Sequence, residues 1–423
     1  MKLRYFYLLY VILILSLCSC TWRTEQSIHP KESDYAMEPT PAYEEIYPND
    51  IYKNNTAVHS FSTSGYDGAI ISYMNDCVQI IDINNDFCIY ELCHDPTCNH
   101  SNLSCLKYAS RACTNAVYFN NTIYLNRYVQ NSINSEISQE IISYDMKTNE
   151  YSVIQDGEFF NLLCRMGKFI YYYENRFVEQ LDSGEVKYST DYYRYDILSK
   201  TTNLLEEDSV EPRIHSLLTS DGFIYGLNKD GDLIAYDADF KYAETVLVGK
   251  KISDYSIFNG VIYYLSKTPQ NTDSGQLYSH DLSSGEDQLI ANNVNLFSLD
   301  GNIIYYTLYN PAPAFEWDYP VKNEDGTVEI RADGQNKTSR VMIESRHGNE
   351  IYTYDIGTGD IKCYPIGTEE AFLGTYYYVL DGHIISQFKA PYSEGDKLGM
   401  RTGIGVFDLE NNFKSIIEYY RIY

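Results

Sequence analysis

The sequence predicts an all-β fold, a β-propeller of seven four-stranded antiparallel blades, and three observations predict it. An aromatic or aliphatic residue followed by Asp and a turn rich in Ser, Thr, Gly and Asn recurs seven times. A two-residue turn followed by a hydrophobic run precedes each of those copies. Tyr supplies 44 of 423 residues, and its flat, amphipathic ring suits half-buried strands as well as ligand surfaces.

The chain opens with an address rather than a fold. Lys2 and Arg4 form a short basic stretch, and Tyr5 to Leu17 form an apolar run that is short for a membrane span and suited to a signal peptide. Its end, Leu17-Cys18-Ser19-Cys20, resembles a bacterial lipobox. The resemblance implies a lipoprotein signal peptide over 1–20, acylation (palmitate) at Cys20, and export of the remaining chain to the extracytoplasmic face of the cell membrane. Cys18 occupies a position where lipoboxes carry a small or β-branched residue, which makes it the alternative acylation site. Residues 21–55, rich in Glu, Ser, Pro, Asn and Tyr without a period, read as a flexible tether.

The β-propeller is expected over 56–423. Its Asp turns are Ile81-Asp82, Tyr144-Asp145, Tyr195-Asp196, Tyr236-Asp237, His280-Asp281, Tyr354-Asp355 and Phe407-Asp408, about 54 residues apart on average. The interleaved two-residue turns are Asp67-Gly68, Asn120-Asn121, Met166-Gly167, Asp221-Gly222, Asn259-Gly260, Asp300-Gly301 and Asp381-Gly382. Asn-Gly and Asp-Gly between apolar runs mark type I′ hairpins, which need positive φ. Each unit therefore reads as strand A, a tight turn, strand B, a variable connection, strand C, the Asp turn and strand D. The first copy, with Ile81 before its Asp, is the weakest match, so six or eight blades is the alternative. The Asp residues read as caps of their own turns rather than ligands, and Asn228 to Asp232 reads as a hairpin turn rather than a calcium loop.

Tight AB and CD connections lie at one end of such units and BC and DA connections at the other. Insertions collect in BC, at 126–140, 174–192, 266–276, 309–350 and 389–403, and the largest is expected to form an extra hairpin. Long segments at one end of a rigid scaffold are where ligands are usually met. That end is expected to be the ligand-binding face, with Trp317, Tyr319 and His94 as its candidate residues.

Six cysteines fall between 77 and 113. In an exported protein they suit disulfide staples. Cys93, Cys98, His100 and Cys105 also have the donor types of a tetrahedral zinc site, the alternative that would make zinc a cofactor. Cys164 and Cys363 read as buried core thiols.

The lipobox, tether, D-G-x-I-Y-Y and Y-D-x-x-T-G repeats and the C-x4-C-x-H-x4-C segment together resemble uncharacterised β-propeller lipoproteins of anaerobic Gram-positive bacteria. The repeats also resemble those of YWTD and quinoprotein-type propellers. This implies a fold and a location, and says almost nothing about activity.

Charge narrows the partners. A formal net charge of −27 argues strongly against nucleic acid, because a phosphate-binding face needs a basic patch and none is evident. No G-x-S-x-G, H-E-x-x-H or Gly-rich phosphate loop occurs. Binding of an extracellular glycan, peptide or envelope protein is therefore the leading expectation. A carbohydrate-active enzyme, glycosidase or lyase, with two carboxylates at the propeller axis is one alternative, and an envelope assembly scaffold is the other.

Overall fold

A computed structural model describes Tyr52 to Ile422 apart from 54–61, 67–68, 75–76, 83–84, 93–105, 107–115, 131–136, 181–185, 210–214, 269–270, 312–314, 322–326, 332–333, 344–348, 368–370, 395–396 and 411. The signal segment, most of the tether, His94 and the Cys93, Cys98, His100 and Cys105 group lie outside the described residues.

After a short β1 (Tyr52–Lys53), the strands follow in antiparallel sets. The first set is β2 (Ser62–Tyr66), β3 (Ala69–Met74), β4 (Cys77–Asp82) and β5 (Cys88–Glu91). The second is β6 (Ala116–Phe119), β7 (Thr122–Gln130), β8 (Ile137–Asp145) and β9 (Glu150–Gly157). The third is β10 (Phe159–Met166), β11 (Phe169–Gln180), β12 (Val186–Asp196) and β13 (Thr201–Ser209). The fourth is β14 (His215–Ser220), β15 (Phe223–Leu227), β16 (Leu233–Tyr236) and β17 (Tyr242–Leu247).

A seven-stranded sheet comes next: β18 (Ile252–Phe258), β19 (Val261–Thr268), β20 (Asn271–Asp281), β21 (Asp287–Asp300), β22 (Ile303–Leu308), and then β25 (Glu350–Asp355) and β26 (Ile361–Pro365). Between β22 and β25 the chain forms a separate hairpin, β23 (Phe315–Pro320) with β24 (Thr338–Ile343). The last set is β27 (Phe372–Leu380), β28 (His383–Glu394), β29 (Lys397–Phe407) and β30 (Phe413–Ile422). Val294 pairs with Gly275 of β20 and with Leu308 of β22, so β21 is strand D of one unit fused to strand A of the next. Divided there, the described strands fall into consecutive A–B–C–D units, numbered 1 to 7 below.

The units pack as a β-propeller. Successive A strands touch, β2 on β6, β6 on β10, β10 on β14 and β14 on β18. The last unit meets the first: Ile81 is buried with Ile385, Ile404 and Val406, and Phe87 meets His383 edge-on at 5.2 Å. Lys414 adds a hydrogen bond to the Asp86 carbonyl at 2.9 Å and an ion pair with its carboxylate. A sheet with two apolar faces needs a neighbour on each, and this closure supplies the last one.

Many tyrosines belong to that inter-unit core. Tyr172 faces Tyr193, Tyr264 faces Tyr278 and Tyr306 faces Tyr352 across strands B and C, each pair stacked at 5.3 to 5.4 Å. Directly opposed rings on one sheet face are favourable cross-strand neighbours, and their hydroxyls reach polar groups at the rim.

The turns carry the expected chemistry, with two corrections. Both residues have positive φ at Asn120-Asn121, Asp221-Gly222, Asn259-Gly260 and Asp381-Gly382, as a type I′ turn requires. Met166 pairs with Phe169 and Asp300 with Ile303, so those two turns are Gly167-Lys168 and Gly301-Asn302, one residue later than expected. Only the glycine has positive φ in each, which is the type II′ requirement. Asp67-Gly68 lies outside the described residues.

All seven CD aspartates accept hydrogen bonds from backbone N–H groups of their own turns, for example Lys147 and Thr148 to Asp145 at 2.7 and 3.1 Å, and Gly357 and Thr358 to Asp355 at 2.8 and 3.0 Å. Asn228 likewise accepts from Asp230 and Asp232 N–H, both at 2.9 Å, closing a plain hairpin turn.

Three further expectations change. The BC insertions are lengthened hairpins more than loops: β11 with β12 and β28 with β29 stay paired almost to their tips, because the ladder satisfies backbone groups that a loop would leave to water. Cys363 is exposed rather than buried, because β26 is an outer D strand. Part of the expected tether is strand: β1 pairs with the free edge of β14, Tyr52 opposite Thr219 and Lys53 opposite Leu218.

Candidate functional site

One of the two longest B–C ladders among the described units, β11 with β12, builds two chemically different walls. β11 and β12 pair from Phe169 opposite Asp196 out to Gln180 opposite Val186, with one irregularity after Phe177. Antiparallel partners share a face, so alternate pairs look toward unit 2 and toward unit 4.

Toward unit 2, the stacked Tyr172 and Tyr193 are followed outward by Glu174 directly opposite Asp191. Both carboxylates are buried, at 7% and 4% exposure. Glu174 Oε1 accepts the Glu158 N–H at 3.0 Å. That approach depends on Gly157, since a Cβ there would stand 2.1 Å from the same oxygen. Burial pushes the Glu174 carboxyl above the usual carboxylate range, against the opposing effects of the Glu158 N–H and Arg176.

Asp191 is held differently. Its Oδ2 pairs with Arg176 at 2.7 Å and accepts the Tyr193 hydroxyl at 3.3 Å. Burial, with Asp191 and Glu174 beside it, pushes Tyr193 up to about 12. On the facing unit, Arg127 pairs with Glu140 at 2.8 Å and lies over the Tyr151 ring at 4.3 Å. Gln139 Oε1 accepts the Phe160 N–H at 2.7 Å and the Asn126 amide donates to the Phe160 carbonyl at 2.9 Å, so units 2 and 3 are bonded at the base of this wall.

Chemically, this wall sets a carboxyl that burial biases toward its neutral form directly opposite one that is paired with a guanidinium. Directly opposed residues place their Cβ atoms about 4.5–5.5 Å apart. Two neighbouring carboxyls, one raised by burial and one in an ion pair, are the kind of side chains from which acid–base chemistry on a glycosidic bond is built.

Toward unit 4, the same ladder carries Tyr173 with Tyr192, then Asn175 with Thr190, then Phe177 with Tyr188. The inner part is packed: Tyr192 stacks on Phe240 at 4.9 Å, and the Tyr171 hydroxyl and Arg194 both donate to the Ala238 carbonyl at 2.7 Å. The outer part is open, with Phe177 54% and Tyr188 46% exposed.

The expected residues are distributed otherwise. Trp317 and Tyr319 lie in β23, opposite Val341 and Ser339, on the extra hairpin that the sequence anticipated. That hairpin continues through hydrogen bonds among Val321, Glu329 and Lys337 to a bridge between Ile330 and Asn336. It forms its own two-stranded sheet, separate from the β11–β12 ladder. His94, Cys20 and the Cys93, Cys98, His100 and Cys105 group lie outside the described residues. Among the described residues, Cys88, Cys164 and Cys363 are free thiols, and no group of three or more His, Cys, Asp or Glu is arranged to hold a metal. Glu174, Asp191, Phe177 and Tyr188 were not singled out from the sequence. Their signal was the 174–192 insertion itself, whose polar and aromatic alternation marks continued strands rather than a loop.

No known family description matches the chain, and no curated protein matches it. Among solved structures it is similar to the acylaminoacyl peptidase of Pyrococcus horikoshii, at 12% identity and a TM-score of 0.44, over 85% of this chain and 50% of the peptidase. It is also similar to an oligogalacturonate lyase in complex with manganese, at 10% identity and a TM-score of 0.40, over 80% of this chain and 86% of the lyase. A third is TolB from Acinetobacter baumannii, at 10% identity and a TM-score of 0.33, over 86% of this chain and 79% of that one. These are likenesses of fold alone.

Proposed function

We propose that this protein is an exported, lipid-anchored, seven-bladed propeller that binds an extracytoplasmic ligand with its BC/DA end. The observation that carries the reading is the contrast in strand length within single units. AB connections are two-residue turns, whereas β11 and β12 run 12 and 11 residues and β28 and β29 also run 12 and 11, all extending toward one end. The lipobox at Leu17–Cys20 supports the location, with Cys20 as the acylated residue.

Metabolic labelling with palmitate, compared between the full chain and Cys20→Ala, tests the anchor. Loss of label and release from the membrane fraction are expected. Retained label that disappears only with Cys18→Ala would move the site to Cys18, and no label on the parent chain would overturn the anchor.

A second reading, a carbohydrate-active enzyme, is favoured by the Glu174–Asp191 pair. It differs from the axial site that the sequence suggested. Short of their turns, the described A strands carry one carboxylate, Asp254, which accepts the Tyr255 N–H at 2.8 Å. Hydrolysis or elimination on a panel of oligosaccharides, lost in Glu174→Gln, would establish this reading, and activity unchanged by that substitution would remove the pair from it.

A further inference from the structure

We propose that the outer face of the β11–β12 hairpin, where Phe159, Phe177 and Tyr188 stand clear of unit 4, is a stacking platform for an uncharged or amino-substituted oligosaccharide. The inference rests on the reading of the BC/DA end as the binding end and names the ligand class of that end.

The three rings share one face. Phe177 is directly opposite Tyr188, and Phe159 is opposite Asn175, two residues along β11 from Phe177. All three are about half exposed. They are exposed because neighbouring units differ in height. In unit 4, β15 has 5 residues and β16 has 4, closed by the turn at Asn228–Asp232, whereas β11 has 12. At about 3.3 Å per residue, the unit 3 hairpin overtops its neighbour by roughly 20 Å. Tyr192, lower on the same face, is buried against Phe240, and that is the fate the outer rings would share beside a neighbour of equal height.

The platform is held rigidly. Phe177 N–H donates to Glu158 Oε2 at 2.8 Å, Thr190 donates to Asn175 Oδ1 at 2.8 Å, and Arg176 is clamped to Asp191 at 2.7 Å. A preorganised aromatic surface loses little entropy on binding.

Area and charge choose the ligand. Half-exposed aromatic rings of 150–250 Å² each present roughly 300 Å² in total. A specific protein–protein interface needs about 800 Å² from each partner. The apolar faces of two or three pyranose rings match the smaller area, and Asn175, on the same face opposite Phe159, brings an amide to meet hydroxyls. A chain of net charge −27 repels polyanions, which disfavours uronic-acid and phosphate polymers and favours neutral or amino sugars.

Isothermal titration of the full chain in detergent against N-acetylglucosamine tetramer, glucosamine tetramer, glucose tetramer and a uronic-acid tetramer tests this. Binding of at least one of the first three is expected, weakened at least tenfold by the double substitution Phe177→Ala/Tyr188→Ala. Binding should survive Phe177→Tyr/Tyr188→Phe and should be unaffected by Tyr242→Ala, an exposed ring on an outer strand. The double variant is expected to melt with the parent. Binding that survives the double substitution but is lost on deleting 315–343 overturns the platform and leaves the BC/DA reading standing. Preference for the uronic-acid tetramer, or no binding of any of the four, overturns the ligand class.

Discussion

The two ends of this propeller are made by the same strands and obey different rules. At the AB/CD end the aspartates cap their own turns, and Asp300 reaches across to the Gly382 N–H at 2.8 Å to bind unit 6 to unit 7. At the BC/DA end the ladder overshoots its neighbours. There a carboxyl is buried beside another, and aromatic rings stand in solvent. The difference teaches that the first end is built for closure of the ring, while the second spends exposed apolar surface on something other than stability.

The sharpest way to break the comparison is to remove one ring from each end. Phe240, 3% exposed, stacks on Tyr236 and Tyr192 at 5.0 and 4.9 Å. Phe240→Ala is expected to cost about 3–5 kcal/mol in a denaturant melt. Phe177→Ala, at the other end, is expected to change stability by no more than about 0.5 kcal/mol. Equal losses would mean that the outer hairpin is core.

A smaller effect separates the turns. Asp355→Ala removes the two hydrogen bonds that the Asp355 carboxylate accepts from the Gly357 and Thr358 N–H groups and should cost about 1 kcal/mol. Asp355→Asn, which keeps an acceptor, should recover most of it, whereas no difference between the two variants would show that the cap contributes nothing.

The ends should also titrate in opposite senses. At Asp408, burial opposes ionisation but hydrogen bonds from Asn412 and Glu410 outweigh it, and the carboxyl sits below its ordinary range. At Asp196, burial is likewise outweighed by Lys168 and two turn N–H groups. A depressed carboxylate contributes stability that is present above the unfolded-state value near 3.9 and is lost as pH falls through the folded value. Glu174, raised by burial, behaves in reverse: its contribution is present below the unfolded value near 4.3 and is lost as pH rises through the folded value. The melting advantage of Glu174→Gln over the parent should therefore grow from about pH 4 to about pH 7. The deficit of Asp408→Asn should shrink on acidification. A Glu174→Gln advantage that is flat with pH would show that the carboxyl is not strained by burial.

The smallest effect is expected from excising the extra hairpin. Because β23 and β24 pair only with each other, replacing 312–346 with a short turn should leave the thermal transition almost unmoved. A large loss would place the hairpin in the core.

Much of the scaffold was legible in the sequence because its instructions are short-range. A type I′ turn at Asp221-Gly222 or an Asp cap at Asp355 is specified by residues next to one another, so the repeat, the strand order and the tight end could be read directly. Even the misplacement at Asp300-Gly301 was a matter of one residue, between two turn types that both want positive φ at a glycine. Only the tertiary structure decided the rest. Glu174 meets Asp191 through a register set by the whole β11–β12 ladder. Its raised pKa comes from packing against unit 2, and Phe177 and Tyr188 are exposed only because unit 4 is short. Cys363 lies outside the core because its strand is an outer one. Burial and exposure are properties of neighbouring units, and one unit's residues do not encode the height of the next.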